Sequence, residues 1–188
     1  MADALGSGPC EKTLVQVQVL LPVPMEKFML PQSIKLWAKT KKVLILFDMD
    51  GTIVEYGANE KHDIIENRPN FYYEKRPLKT MLKVVKNLSK IKNVTIGILS
   101  NCYYPEQEQD KIKWLHKFVP FVNFNHVYFN VYSTLSFKKE EKNLLKANVI
   151  KTISGFDKIL LIEDNHEIIK ATNNVIPNTS HHLSELIK

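Results

Sequence analysis

The chain has 188 residues, 44% of them hydrophobic and 24% charged, with a formal net charge of +6. That length suits one domain with a sizeable core, and those proportions exclude wholesale disorder, collagen-like repeats and a long coiled coil. Arg68 and Arg76 are the only arginines among 26 basic residues, so lysine carries the positive charge. Lysine attracts anions as a point charge but lacks the planar fork that reads base edges, which favours phosphorylated or acidic substrates over sequence-specific nucleic-acid recognition.

Cys10 and Cys102 are too few and too far apart for a disulfide framework or a multi-cysteine zinc site, and free thiols fit a reducing, cytoplasmic setting. The stretch from Leu14 to Val23 is interrupted by Gln16, Gln18 and Pro22. No segment reaches the roughly 18 apolar residues of a membrane span, and Asp3 stands where a secretory leader carries positive charge.

In chain order, Val15, Val17 and Val19 alternate with glutamines and predict a strand, after which Pro22, Pro24 and Pro31 punctuate the chain. Residues 1–40 are expected to form an extension packed on a main domain over residues 41–188. Val43 to Phe47 is a short, continuous apolar run of the kind found in strands buried on both faces, and it stops at Asp48. Val94 to Leu99 stops in the same way at Ser100, Ile159 to Ile162 stops at Glu163, and a weaker run covers Val127 to Val131. Helical spacing falls between these runs: Leu78, Met81, Leu82, Val85 and Leu88; then Ile112, Leu115 and Phe118; then Leu144, Leu145 and Ile150. This alternation predicts a three-layer α/β/α, Rossmann-like fold with a mostly parallel sheet. Ligands in such folds bind at the carboxyl ends of the strands, where Asp48, Ser100 and Glu163 fall.

Asp48-Met49-Asp50-Gly51-Thr52 places two carboxylates just after a buried strand, where a cation or a reacting group must compensate them. An EF-hand is excluded, because its glycine comes five residues after the first aspartate and here it comes three after. The segment resembles the first motif of the haloacid dehalogenase superfamily, most of whose members are magnesium-dependent phosphatases. The three other motifs of that family have counterparts in order. Ser100-Asn101 closes the next core strand; Phe137-Lys138-Lys139-Glu140 offers the helix-start lysine; Glu163-Asp164 closes a later strand. Lys139 matches the family's lysine-to-acid spacing, with Lys138 as the alternative. The resemblance spans about residues 42–176.

The resemblance implies that Asp48 is the nucleophile, forming an aspartyl-phosphate, and that Asp50 is the general acid and base. It implies that Mg2+ is bound by Asp48, the Asp50 main chain and Asp164, with Glu163 assisting. Ser100, Lys139, Gly51, Thr52 and Asn101 would hold the transferring group, and Arg76 would bind substrate. Family selectivity resides in cap insertions. The flap at about residues 53–76 is too short for a helical cap, so the domain is expected to lack a large cap and to present an open site suited to a phosphoprotein or another macromolecular phosphate. Nucleotides or sugar phosphates are the alternative substrates. The flap contains Tyr56, His62, Arg68, Phe71, Tyr72 and Tyr73, which either frame a substrate or pack the flap onto the sheet. The Arg76-Pro77 step resembles the RNA-polymerase C-terminal-domain phosphatase branch, whereas Gly51 departs from that branch's Asp-x-Asp-Glu-Thr. A receiver domain is the main rival, but its phosphoacceptor aspartate would end a central strand, where this chain has Ser100 or the Val131 region. A binding module without hydrolysis is a further alternative, although such degeneration usually removes Asp48 or Asp50 and both are present.

Overall fold

A computed structural model describes residues 29–56, 71–131 and 138–187. The strand expected around Val15–Val19 and most of the flap, including His62 and Arg68, lie outside the described residues. The first described helix, α1 (Leu30–Trp37), has Pro31 in its first turn, where a missing N–H costs nothing. Leu30, Ile34 and Ala38 on one face of it are buried in the main core.

The β1 strand (Val43–Phe47) is buried along its whole length. It is followed by α2 (Phe71–Glu74), α3 (Lys79–Leu88), β2 (Val94–Cys102), α4 (Pro105–Phe118), β3 (Val127–Val131), α5 (Lys139–Thr152), β4 (Lys158–Glu163), α6 (His166–Val175), β5 (Ser180–His182) and α7 (Ser184–Ile187). The strands form one sheet in the order β3-β2-β1-β4-β5. Every pairing is parallel, with Phe47 level with Ile98 on one side and Ile162 on the other.

Alternation along the strands builds two cores. Val43, Ile45 and Phe47 join Ile96, Ile98, Leu160 and Ile162 beneath Ile34, Met81, Val85, Trp114 and Leu115. Leu44, Leu46, Leu99 and Leu161 face the other way, against Ile150, Val149 and Ile176. Helices therefore cover both faces, giving the three-layer arrangement expected from the sequence. Gly97 is required by packing: a β-carbon there would lie 2.5 Å from the His126 carbonyl oxygen.

The chain winds outward from β1 through β2 to β3, then returns to the other side of β1 for β4 and β5. This reversal opens a crevice at the carboxyl ends of β1 and β4, the topological switch point of an open α/β sheet. Asp48 and Glu163 stand at its edges. No described helix is long and apolar enough to cross a membrane.

Candidate active site

Immediately after β1, the amides of Thr52, Ile53 and Val54 all donate to the Met49 carbonyl, at 3.2, 2.9 and 2.9 Å. This tight turn throws Asp48 and Asp50 onto the carboxyl edge of the sheet. Gly51 completes it with φ +74, and a β-carbon there would lie 2.3 Å from Asp164 Oδ2 and from the Tyr56 ring. Only glycine combines that backbone with so close an approach. The Gly51 amide itself donates to the Val54 carbonyl at 2.9 Å, so it closes the turn. The Thr52 hydroxyl is buried and has no hydrogen-bond partner among the described residues. Beyond the turn, the base of the flap is pinned by Glu55 N to the Arg76 carbonyl and Leu78 N to the Ile53 carbonyl, both 2.9 Å.

Around Asp48 the charges are dense. Lys146, 1% exposed, places Nζ 2.6 Å from Asp48 Oδ1 and 2.5 Å from Glu163 Oε2. The second oxygen of Glu163 accepts the amides of Asp164 and Asn165 at 3.2 and 3.1 Å, which locks that side chain. Asp48 Oδ2 has no hydrogen bond among the described residues. Burial pushes the Asp48 carboxyl up to about 6; Lys146 opposes this, while Glu163 and Asp50 add to it. Burial likewise raises Glu163 and Asp164. Lys146 is raised too, because Asp48 and Glu163 together outweigh its own burial.

One oxygen each from Asp48, Glu163 and Asp164 lie within 4.8 Å of one another, and Asp164 Oδ1 is buried without a partner. Asp48 and Glu163 share one ammonium and Asp164 has none, which leaves uncompensated negative charge, and an orphaned buried oxygen aggravates it. This all-oxygen cluster fits a hard divalent cation such as Mg2+.

Asp50 has the opposite surroundings. Lys111 Nζ lies 2.8 Å from its Oδ2 and Lys75 Nζ 3.3 Å from its Oδ1. Burial works to raise the Asp50 carboxyl, but the two lysines prevail and hold it below its ordinary value. Lys111 also donates to Ser100 Oγ at 3.0 Å and to the Asn101 carbonyl at 2.6 Å. Tyr72 packs its ring beneath both ammonium groups, at 4.6 Å from Lys111 and 5.0 Å from Lys75. Burial and the fields of Asp50 and Asp48 hold its hydroxyl in the neutral form. The crevice is thus polarised, with Asp48, Glu163 and Asp164 against Lys146 on the β4 side, and Asp50 against Lys111 and Lys75 on the β2 side.

The structure brings Asp48, Asp50, Ser100, Glu163 and Asp164 to one edge, as the sequence leads one to expect. Asn101 is near, but its side-chain oxygen accepts a bond from Asn130 on β3 at 3.1 Å and its carbonyl serves Lys111. Arg76 is exposed and contributes its carbonyl to the flap base; its neighbour Lys75 reaches Asp50 instead. Lys138 is an exposed N-cap of α5 whose amide donates to Glu141 Oε2 at 2.9 Å. Lys139 begins α5, and its side chain lies outside the described residues. The lysine that reaches Asp48 is Lys146, two turns further along the same helix. Its signal in the sequence is its place on the face shared with Ala147 and Ile150, both buried. Lys111, fully buried, shares a face with Trp114 and Leu115 in the same manner.

No protein-family model matches the chain, and no curated protein matches it. Among solved structures, a chain of the Pnkp1/Rnl/Hen1 RNA repair complex is similar, with a TM-score of 0.58 and 12% identity. The similarity covers 76% of this chain and 42% of that one, so this chain spans less than half the length of its neighbour. At that identity the likeness concerns the fold.

Proposed function

We propose that the chain is a Mg2+-dependent phosphomonoester hydrolase of the haloacid dehalogenase type, acting through an aspartyl-phosphate on Asp48. One observation carries this reading: at the switch-point crevice, Asp48 has one oxygen clamped by Lys146 and the other without a hydrogen bond among the described residues. A carboxylate held through one oxygen, with the other free of hydrogen bonds, is prepared for in-line attack on phosphorus. The polarised crevice supports the same reading, since a phosphoryl dianion is drawn to the lysine-rich side and a divalent cation to the acidic side.

In the first half, Asp48 Oδ2 bonds to phosphorus while the bond to the leaving oxygen breaks. Ser100 Oγ donates to a transferring oxygen, and the Lys111 and Lys75 ammonium groups oppose the charge that builds up there. An incoming dianion raises the proton affinity of Asp50, the condition under which it protonates the leaving oxygen. In the second half, Asp50 takes a proton from the water that attacks the aspartyl-phosphate, releasing inorganic phosphate. The ionised resting state of Asp50 suits this second step. A bound Mg2+, held by Asp48, Asp164 and the Asp50 main chain with Glu163 behind them, would screen the approach of one anion to another.

The substrate class we favour is a phosphorylated macromolecule, on the shortness of the flap between β1 and α2. The similarity to a chain of an RNA repair complex makes a phosphorylated RNA end a reasonable test substrate beside a phosphopeptide. The test is a Mg2+-dependent screen of 4-nitrophenyl phosphate, phosphopeptides, 3′- and 5′-phosphorylated oligonucleotides, nucleotides and sugar phosphates. Preference for a macromolecular phosphate supports the reading; preference for a small metabolite replaces the substrate class but leaves the chemistry.

A further inference from the structure

Lys111 has no counterpart among the four motifs, yet it is fully buried and makes three polar contacts within the crevice. Nζ donates to Asp50 Oδ2 at 2.8 Å, Ser100 Oγ at 3.0 Å and the Asn101 carbonyl at 2.6 Å. An ammonium group has three N–H bonds and no acceptor, so these contacts use its whole donor capacity. It therefore bridges the turn after β1, which carries Asp50, to the end of β2, which carries Ser100.

The bridge fixes a direction. Because Lys111 can only donate, Ser100 Oγ acts as the acceptor in their bond, and the hydroxyl hydrogen must point elsewhere. Among the described residues Ser100 Oγ makes no other hydrogen bond, and Ser100 is 1% exposed at the crevice edge. A transferring phosphoryl oxygen supplies the missing acceptor.

The α4 helix holds this arrangement rigidly. Lys111 and Trp114 lie one turn apart on its buried face, and Trp114 Nε1 donates to the Lys75 carbonyl at 2.9 Å. One helix face therefore delivers one lysine to Asp50 directly and anchors the backbone of the other. The Tyr72 ring, 4.6 Å from Lys111 Nζ, screens the ammonium from water and provides a cation–π contact.

We propose that Lys111 is a positioning residue that aims the Ser100 hydroxyl at the transferring phosphoryl group and ties that donor to the orientation of Asp50. This inference rests on the phosphatase reading and adds a residue to it. Lys111 bonds no substrate atom; beyond the field of its charge, it acts through Ser100 and Asp50.

The test is a double-mutant cycle with Lys111→Met and Ser100→Ala, measured with 4-nitrophenyl phosphate and Mg2+, alongside orthovanadate affinity by calorimetry. Lys111→Met is expected to lower kcat by about a hundredfold, comparable with loss of one preorganised donor, and to change KM by less than about threefold. In the Ser100→Ala background the cost of Lys111→Met is expected to shrink by about tenfold, since part of its effect passes through the hydroxyl. Orthovanadate affinity should fall in Lys111→Met and in Ser100→Ala, and fall little further in the double variant. If Lys111→Met does not fold, Lys111→Gln replaces it in the same cycle, keeping an amide donor but no charge. Additive effects within about twofold, or an active Lys111→Met protein with wild-type kcat, overturn the assignment. Wild-type protein with no Mg2+-dependent hydrolysis overturns the phosphatase reading instead, so the two failures are distinguishable.

Discussion

Lys146 Nζ lies 2.6 Å from Asp48 Oδ1 and is almost wholly buried, so helix α5 reaches across one face of the sheet to hold the side chain at the end of its central strand. Glu163 takes the same ammonium group from β4, which ties the three elements flanking the crevice into one charged unit.

Removing that ammonium leaves two buried carboxylates facing each other. Lys146→Met is therefore expected to reduce kcat by at least about a hundredfold and to destabilise the fold by about 3 kcal/mol at neutral pH. Lys138→Met, at an exposed N-cap, should leave both within about threefold and about 0.5 kcal/mol. Steady-state kinetics and urea melts on the two variants check this. Equal effects would contradict the role of Lys146.

The pH dependence of stability has a definite sign at Asp48. Its carboxyl is pushed up to about 6 from an ordinary value of 3.8, so the folded protein binds this proton more tightly than the unfolded chain. The ionisation penalty is absent below about pH 4, grows between pH 4 and 6, and is complete above that window. Asp48→Asn is thus expected to stabilise the protein in EDTA at pH 8, by up to about 3 kcal/mol on the conversion of one pKa unit to 1.36 kcal/mol, and to do nothing at pH 4. Thermal melts at the two pH values measure it. A variant no more stable than wild type at pH 8 would contradict the buried charge balance.

Much of this was legible in the sequence, for a physical reason. A strand buried on both faces has to be apolar at every position, so β1 and the cores of β2 and β4 announced themselves, and the polar residues that end them marked the edge where the charged side chains gather. The β5 strand escaped because Ser180-His181-His182 has no apolar pattern; it is a strand through its register with Leu161, Ile162 and Glu163. Pro31 reads as punctuation until α1 is seen to begin at it. The buried lysines were hidden by composition: in a chain where lysine predominates, one more lysine reads as solvated. Lys111 and Lys146 differ from the rest only in sharing helix faces with Trp114 and with Ile150. The flap base turns Arg76 outward and Lys75 inward, so the lysine meets Asp50.

Gly51 offers a prediction free of charge effects. With φ +74 and a β-carbon position 2.3 Å from Asp164 Oδ2, Gly51→Ala strains the turn and displaces Asp164 together. A loss of about 1–3 kcal/mol in stability is expected, with activity falling by at least tenfold. Calorimetry and kinetics check the pair; a stable, fully active variant would contradict the tight seating of Asp164 against the turn.

Cation binding should depend on the oxygen that is orphaned. Asp164→Asn keeps the shape but removes the charge, and is expected to raise the Mg2+ concentration for half-maximal activity by about tenfold or more. Titrating activity against Mg2+ after EDTA treatment gives the comparison. An unchanged Mg2+ requirement would remove Asp164 from the cation site.

The most direct measurement is hydrolysis of 4-nitrophenyl phosphate by wild type and Asp48→Asn, with and without Mg2+, on proteins whose melts show both to be folded. Mg2+-dependent turnover by wild type and at least a thousandfold loss in Asp48→Asn is the predicted result. Residual activity in Asp48→Asn within tenfold of wild type would contradict a nucleophilic Asp48.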